Sequence, residues 1–269
     1  MSDMGRLAII GAGAMGSAFA GGVISSGLFR AEDVVVSDVD EARLTEAASA
    51  IGVATTSDNV AAVRDADVVI VAVKPAMVRE VLSELTSVLT ERHLVISLAA
   101  GVRLEAMESV LPEGVPVIRT MPNTPCLIRE GAIGFSRGRA ARPEHAAVAK
   151  RIFDAVGISF EVPEKLLNAV TGLSGSGPAY IYVLIEALSD AGVRVGLPRD
   201  IATKLASQTV KGAAQMVLDR GEHPAKLKDQ VTSPGGTTIA ALDTLEHAGF
   251  RSALIEAVKA ATRKADELG

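Results

Sequence analysis

The sequence predicts an α/β protein in which a doubly wound parallel sheet is followed by an all-helical C-terminal domain. Two observations predict this fold class. Up to about Val162, short β-branched runs alternate with helical stretches, which is the pattern of a parallel sheet covered by helices on both faces. After Pro163 the strand pattern ends and only helical periodicity remains. We therefore expect one domain at residues 1–162 and a second at residues 163–269.

The predicted strands of the first domain are short and apolar. Val68–Val73 and Leu94–Ser97 are apolar on both faces, as strands buried between two helical layers are. The predicted strands are Arg6–Ile10, Val34–Ser37, Val68–Val73, Leu94–Ser97 and Pro116–Arg119, with Ala132–Ser136 and Ser159–Val162 as candidates for further strands. The helices predicted between them are Met15–Ser26, Glu41–Ile51, Asn59–Arg64, Ala76–Leu89, Leu104–Val110 and Pro143–Val156.

The second domain is predicted to be helical and to join subunits. Pro178 and Pro198 lie where proline suits the first turn of a helix. Small residues along Arg199–Arg220 allow a partner helix to pack closely. Because about 105 apolar-rich residues leave faces that one chain does not cover, we expect a homodimer or a higher homo-oligomer built from dimers. The predicted helices are Ala179–Ala191, Arg199–Arg220, Ala225–Val231, Thr237–His247 and Phe250–Leu268.

The composition argues against several classes of protein. A net charge of −5 disfavours general binding to nucleic acid or to anionic membranes. Cys126 is the only cysteine, so neither an intrachain disulfide nor a cysteine metal cluster can form, and no His, Asp and Glu pattern has metal-ligand spacing. No apolar run reaches the ~18 residues of a membrane helix, and no leader pattern precedes the first strand. We expect a soluble, cytoplasmic protein without a metal.

A glycine-rich turn near the N-terminus predicts a dinucleotide site. Gly11–Gly16 directly follows the first strand and opens a helix, the arrangement of a Rossmann dinucleotide-binding domain. In that arrangement the first glycine permits the tight turn, the second lets the pyrophosphate approach and the third allows helix packing. Asp38 follows the second strand, where a ribose-binding acid belongs. The residues predicted here are Gly11, Gly13, Ala14, Met15, Gly16, Ser37 and Asp38.

Three further segments follow predicted strands, where ligands of open sheets bind. Small residues at Ala72-Val73-Lys74-Pro75 and at Ala99-Ala100-Gly101 leave room for a flat cofactor ring. Lys74 places a positive charge near phosphate or substrate, or is simply a solvated lysine. In Met121–Pro125, two prolines hold Asn123, whose amide offers both a donor and an acceptor; the alternative is a rigid turn without a ligand.

The second domain contains a predicted anion site in the loop Ser233-Pro234-Gly235-Gly236-Thr237-Thr238. The glycines let the backbone approach a ligand, and free N–H groups at a helix start favour a carboxylate or phosphate. The Gly172–Tyr180 segment is a second glycine- and serine-rich loop that runs into a helix, or else a joint between domains. A dinucleotide turn and a small-acid site in one chain predict a reductase of a small carboxylate.

No motif supplies a strong protein acid. The four histidines, His93, His145, His223 and His247, lie outside the glycine-rich segments. The chemistry should therefore depend on positioning and on a hydride donor. Reduction of a preformed imine fits, because its nitrogen can take a proton from solvent, whereas a ketone would want a positioned acid.

The chain resembles the pyrroline-5-carboxylate reductase family over essentially its full length. The resemblance implies a Rossmann domain, a helical domain that interlocks with a partner subunit, and reduction of the cyclic imine pyrroline-5-carboxylate to L-proline by NADPH or, less often, NADH. It rests on Gly11–Gly16, Val73-Lys74-Pro75, Ala99-Ala100-Gly101-Val102, Met121–Pro125, Gly172–Tyr180, Leu227-Lys228-Asp229 and Ser233–Thr238.

The same resemblance implies residue roles. The substrate carboxylate would bind the N–H groups of Gly236, Thr237 and Thr238, and the Thr238 hydroxyl would face the ring nitrogen. Thr238 and Ser233 are the implied catalytic residues. The nicotinamide would lie against Ala72–Pro75 and Ala99–Gly101. The implied substrate-binding residues are Ser233, Gly235, Gly236, Thr237, Thr238 and Ser176, and Asn59 and Asn123 join the cofactor-binding residues.

The cofactor and two rival functions stay open at this point. Asp38 would accept from a free ribose 2′-hydroxyl and repel a 2′-phosphate, whereas Ser37 and Arg43 hold a phosphate if Asp38 turns away; we expect NADPH, with NADH usable. A β-hydroxyacid dehydrogenase would explain Lys165-Leu166-Leu167-Asn168 but not the Ser233–Thr238 loop. A nucleotide sensor without catalysis would not need a second anion site.

Overall fold

The computed structural model describes residues 4–268, and within them the N-terminal part forms an eight-stranded sheet. The strands are β1 (Leu7–Ile10), β2 (Val34–Ser37), β3 (Ala54–Thr56), β4 (Val68–Val71), β5 (Leu94–Ser97), β6 (Val117–Met121), β7 (Gly131–Arg137) and β8 (Gly157–Glu161). Their order across the sheet is β3-β2-β1-β4-β5-β6-β7-β8. Neighbouring strands are parallel, except that β6 and β7 are antiparallel.

Helices connect the strands and then make up the C-terminal part. Those of the N-terminal part are α1 (Ala14–Ser25), α2 (Glu41–Ile51), α3 (Asn59–Val63), α4 (Val78–Glu84), α5 (Leu104–Glu108), α6 (Pro143–Asp154) and α7 (Leu167–Val170). After a wide π-helical turn, Thr171–Gly175, follow α8 (Gly177–Arg194), α9 (Arg199–Arg220), α10 (Pro224–Gln230), α11 (Thr237–His247) and α12 (Phe250–Leu268).

Alternation along the strands builds two cores, one on each face of the sheet. Leu7 and Ile9 pack into one core, and Ala8 and Ile10 pack into the other, because successive strand residues point to opposite faces. All four are buried, as expected for a strand with helices on both sides. The largest buried side chains of the first core are Phe19, Phe29, Phe135 and Phe153, and those of the second include Leu82, Leu85 and Met107.

The predicted fold class is confirmed, with one strand missed. The pattern did not predict β3, because it has three residues, is partly exposed and pairs only with β2 at the edge of the sheet. The β4 strand ends at Val71, so Ala72 and Val73 belong to the loop that follows it.

The segment predicted as a loop at Gly172–Tyr180 is instead helical. Five residues form the wide turn, and the Ser176 N–H donates to the carbonyl of Thr171 (2.8 Å). Pro178 is the second residue of α8. Since proline has no N–H, a regular α-helix cannot continue through this position with all its bonds, and a wide turn is a common way to absorb such an interruption.

The chain divides into two compact units. Residues up to Ser176, together with those from Ala260 onward, form one unit, and Gly177–Lys259 form the other. The boundary that we predict near residue 162 stays a prediction. In the second unit α8 packs on α9, where Gly192 faces Ala202 at a distance that leaves no room for a larger residue. No helix within residues 4–268 is long and apolar enough to cross a membrane.

His93 is a buried polar residue outside any proposed site. It precedes β5 and is fully buried. Its Nδ1 accepts from the Thr90 N–H (3.0 Å), which puts the proton of the neutral ring on Nε2, and Nε2 has no partner among the described residues. Burial, and then the charge of Arg92, lower the pKa of His93 from its ordinary 6.5.

We expect His93→Asn to reduce the pH dependence of stability. Because the pKa of His93 is lower in the folded chain, the unfolded chain binds more protons below pH 6.5 and stability falls as the pH drops. Denaturant unfolding at several pH values should show a slope smaller by up to about 1.4 kcal/mol per pH unit. His145, whose pKa is also lowered, leaves part of the slope. The exposed control His247→Asn should keep the wild-type slope, and an unchanged slope in His93→Asn would contradict the assignment.

Candidate functional site

The glycine turn after β1 is shaped by close backbone contacts. Gly11 has a φ of +109°, and a Cβ there would lie 2.6 Å from the carbonyl oxygen of Ala72. Its N–H donates to the carbonyl of Ser37 (2.7 Å). A Cβ on Gly16 would overlap the carbonyl of Gly11. Gly13 differs, because nothing lies within 4 Å of its Cβ position. The first and third glycines are therefore required by the fold, and the second leaves open space.

The start of α1 presents free amides to that open space. The helix begins after Gly13, which provides no side-chain cap. Its first intrahelical bond runs from the Ser17 N–H to the Gly13 carbonyl (2.9 Å). The three N–H groups of Ala14, Met15 and Gly16 therefore have no helical partner, and together with the helix dipole they favour an anion such as a pyrophosphate.

A cavity of about 830 Å³ lies along the carboxyl ends of β1, β2 and β4. Nine predicted cofactor residues line it: Gly11, Gly13, Ala14, Ser37, Asp38, Asn59, Ala72, Val73 and Lys74. Seven others do not: Met15, Gly16, Pro75, Ala99, Ala100, Gly101 and Asn123. Lining residues that the motifs did not indicate include Ser17, Glu46, Met77 and Leu127.

The ribose end of the cavity is held by an internal polar network. The Asp38 carboxylate accepts from the N–H groups of Ala12 (2.8 Å) and Asp40 (2.9 Å), and its side chain is only 8% exposed. Asp38 thus fixes the glycine turn as well as facing the cavity. The guanidinium of Arg43 lies 3.6 Å from Asp38 and 3.5 Å from Asp40, and this side chain is half exposed.

A second pair of side chains closes the same end. The Ser37 hydroxyl donates to Asn59 Oδ1 (2.7 Å), and Asn59 Nδ2 donates to Glu84 (2.9 Å). These bonds fix the amide orientation of Asn59. Lys74 is exposed on the cavity wall and makes no ion pair with any described residue. It is therefore free to meet an anionic ligand.

The remaining predicted cofactor residues have other surroundings. Pro75 begins a single helical turn after Lys74. Ala99 is buried at the end of β5, and Gly101, with a φ of +79°, faces the backbone of Leu268. Asn123 is buried, and its side chain bonds only to backbone groups of the protein.

The Lys-x-x-Asn spacing at Lys165–Asn168 has a structural explanation. The Asn168 carbonyl oxygen accepts from Arg119 (3.3 Å), and its amide donates to Asp266 (2.7 Å). Arg119 is buried in β6 and also donates to Glu164 (2.9 Å). Asn168 therefore joins the end of α12 to the sheet, which accounts for the residue without a dehydrogenase role.

The Ser233–Thr238 loop forms a second helix start with free amides. Gly235 has a φ of +69°, and Gly236 is the N-cap of α11 without a side-chain cap. The Gly236 N–H already donates to the carbonyl of Ser233 (3.1 Å). The first intrahelical bond begins at Ala240, so the N–H groups without a helical partner are those of residues 237–239.

Side chains of this loop are accessible. Ser233 and Thr237 are exposed and Thr238 is half-buried, and their hydroxyls form no hydrogen bond with any described residue. A Cβ on Gly236 would collide with the Ser233 hydroxyl, so glycine is needed for the serine to sit beside the helix start. Ser176, the sixth predicted substrate residue, ends the wide turn in the other unit.

Comparison with known proteins gives a consistent result along the chain. Residues 164–268 match a family model described as pyrroline-5-carboxylate reductase dimerisation, and residues 6–101 match one described as NADP oxidoreductase coenzyme F420-dependent. The pyrroline-5-carboxylate reductase of Methanosarcina acetivorans is 47% identical over 98% of both chains.

Two solved structures are also similar. The pyrroline-5-carboxylate reductase of Coxiella burnetii superposes with a TM-score of 0.95 at 37% identity, covering 99% of each chain. The pyrroline carboxylate reductase of Plasmodium falciparum, solved with NADP bound, gives a TM-score of 0.86 at 32% identity and covers 100% of this chain and 99% of its own.

We expect Gly13→Val to block dinucleotide binding without unfolding the protein. The Cβ of residue 13 would meet no protein atom, so the added side chain would occupy the space in front of the free amides of α1. Fluorescence titration with reduced dinucleotide should show affinity weakened on the order of 10-fold or more, about 1.4 kcal/mol or more. Gly21→Val, on the same helix and equally free of contacts, should bind as the wild type does. Equal binding by both variants would contradict the site.

Proposed function

The chain belongs to the pyrroline-5-carboxylate reductase family, and from this premise we propose that it reduces (S)-1-pyrroline-5-carboxylate to L-proline, the last step of proline biosynthesis. The observation that carries the proposal is the likeness to a named reductase over nearly the whole of both chains. In the reaction the imine carbon gains a hydride and the ring nitrogen gains a proton, so that the C=N bond becomes a single bond.

The cofactor assigned to the cavity is NADPH, with NADH also usable. When bound, it supplies the hydride. The chain fits such a group: three amides at the start of α1 can hold the pyrophosphate, and a Cβ on Gly13 would fill the space that it needs. Ala72 and Val73 give the cavity an apolar wall, and the Lys74 ammonium lies close to them.

Arg43 is the residue assigned to the 2′-phosphate of NADPH. The Asp38 carboxylate already accepts two backbone N–H groups, so its charge is directed into the protein. Arg43 is half exposed on the cavity wall and can turn its guanidinium to a phosphate, for which its geometry is suited. Asp38 and Asp40 compete for the same guanidinium, which is why NADH, with a free 2′-hydroxyl, remains a usable cofactor.

The substrate carboxylate is assigned to the start of α11. Its charge would be met by the amides of Thr237, Thr238 and Ile239, and Gly235 and Gly236 keep the approach free of side chains. The Thr238 hydroxyl, which has no protein partner, would hold the ring nitrogen. Ser233 adds a second hydroxyl beside the same helix start. The chemistry needs no protein acid, because the imine nitrogen takes its proton from water.

The protein is proposed to work as a homodimer or a larger assembly of dimers. The helices of the second unit expose large apolar side chains that a single chain leaves in water, such as Val183, Leu205, Leu218 and Ile255. A partner packed on these faces would bury them. Sedimentation at nanomolar concentration tests this proposal, because a folded and fully active monomer would contradict it. The cytoplasmic location stays a prediction, which cell fractionation would test.

We expect Thr238→Ala to lower turnover of the imine by ~10- to 100-fold, the effect of losing one transition-state hydrogen bond of about 1.4–2.7 kcal/mol. The affinity for NADPH should hardly change, because the residue lies in the other unit from the cavity. Steady-state oxidation of NADPH with pyrroline-5-carboxylate provides the measurement. Thr238→Ser keeps the hydroxyl and should keep most of the activity. Wild-type turnover in Thr238→Ala would remove this residue from the mechanism, and no imine reduction by the wild type would refute the function itself.

We expect Arg43→Ala to shift the choice of cofactor. Loss of the guanidinium should lower kcat/KM for NADPH by about 10-fold, since a charged hydrogen bond to phosphate contributes ~1.5–3 kcal/mol. The value for NADH should change little. Arg30→Ala is a suitable control, because Arg30 pairs with Glu32 and Asp33 and does not line the cavity. An equal loss with both cofactors would show that Arg43 does not read the ribose.

A further inference from the structure

Asn123 connects three backbone segments of the N-terminal unit. It follows β6 and is 8% exposed. Its Oδ1 accepts from the Ala132 N–H at the start of β7 (3.0 Å), and its Nδ2 donates to the carbonyl of Ser174 in the wide turn (3.0 Å). Both ends of the amide are therefore engaged with the protein, and the residue does not line the dinucleotide cavity.

Pro178 explains why the Ser174 carbonyl needs a side-chain donor. In a regular α-helix this carbonyl would accept from the N–H four residues later. That residue is Pro178, which has no N–H to donate. Asn123 supplies a donor to the carbonyl whose regular α-helical partner Pro178 cannot be. The two residues are thus complementary: the proline removes a donor and the asparagine replaces it.

The wide turn is packed against the strand ends at the same place. A Cβ on Gly175 would lie 2.5 Å from the side chain of Met121, and a Cβ on Gly134 would lie 2.8 Å from Val170. The next residue, Ser176, is half-buried, and its hydroxyl forms no hydrogen bond with any described residue. Its N–H is held inside the turn by Thr171. The position of this free hydroxyl therefore depends on how the turn is held.

We propose that Asn123 is a positioning residue for the imine substrate: its bond to the Ser174 carbonyl holds the wide turn so that the Ser176 hydroxyl is presented to the substrate. This inference rests on the proposed function. It gives Asn123 a role toward the substrate rather than direct contact with the cofactor. An amide is required at this position, because the residue must donate to a carbonyl and accept from an N–H at once.

The test uses Asn123→Asp alone and combined with Pro178→Ala. An aspartate keeps the acceptor for Ala132 but loses the donor to Ser174. We expect KM for pyrroline-5-carboxylate to rise about 10-fold, with the dissociation constant of NADPH and kcat changed less than 2-fold. In the double variant, the alanine that replaces the proline has an N–H to offer the Ser174 carbonyl, so KM should return at least halfway toward the wild-type value. Pro143→Ala, a helix-start proline of the same unit as Asn123, should not restore it.

Several outcomes would overturn the inference. A weaker affinity for NADPH with an unchanged KM for the imine would place Asn123 at the cofactor. Equal loss in Asn123→Asp with and without Pro178→Ala would show that the two residues are not coupled. Should the aspartate variant fold poorly, Asn123→Ser with the same second substitution gives the same comparison.

Failure of the proposed function gives a different result. In that case the wild type itself would not reduce the imine, and the substrate role of Asn123 would fall with it. The hydrogen-bond pairing is still decided by urea unfolding without ligand. Non-additive losses of stability in the single and double variants would support it, and additive losses would refute it.

Discussion

The close approach of backbone around Gly11 is the constraint on which the N-terminal unit depends. Parallel pairing of β1 with β2 and β4 brings three carboxyl ends to one edge of the sheet. The chain must turn there between the carbonyls of Ser37 and Ala72, and only a residue without a Cβ can do so. The backbone atoms on both sides cannot move aside, so a substitution would displace the strand ends, the start of α1 and the cavity together. Asp38 secures the same turn through the N–H of Ala12.

The two units use one physical device for two anions. In both, a helix of more than ten residues begins after an extended glycine that offers no side-chain cap, Gly13 at α1 and Gly236 at α11. The first-turn amides are consequently left to the ligand. A chain with a net charge of −5 can therefore bind a dinucleotide and a carboxylate, because each anion meets local dipoles rather than the overall charge.

Buried polar side chains hold the unit together where helices meet the sheet. Arg119, Glu164 and Asn168 bond to one another and reach Asp266 near the end of the chain. Asn123 links β6, β7 and the wide turn. Because a buried group that loses its partner costs about 1–3 kcal/mol, these contacts restrict the chain to one arrangement. They also explain how polar residues near a site can have structural partners and no ligand.

The sequence by itself determined the fold class, most element positions and the dinucleotide turn. These features depend on local patterns: β-branched runs, helical periodicity and glycines at fixed spacing, each of which is legible without knowing what packs on it. The missed strand β3 and the wide turn at Thr171–Gly175 show the limit. The first is too short to carry a pattern, and the second results from a proline whose effect depends on the partner that Asn123 provides.

Tertiary structure decided which predicted residues meet. It placed nine of the predicted cofactor residues on one cavity and added Leu127, an apolar residue with no sequence signal because its exposure follows from the turn after β6. It turned Asp38 toward the glycine turn and left the Arg43 guanidinium on the cavity wall. The sequence determines which groups are available, since that depends on residue type. Only the fold decides their partners, because a hydrogen bond joins residues that are distant along the chain.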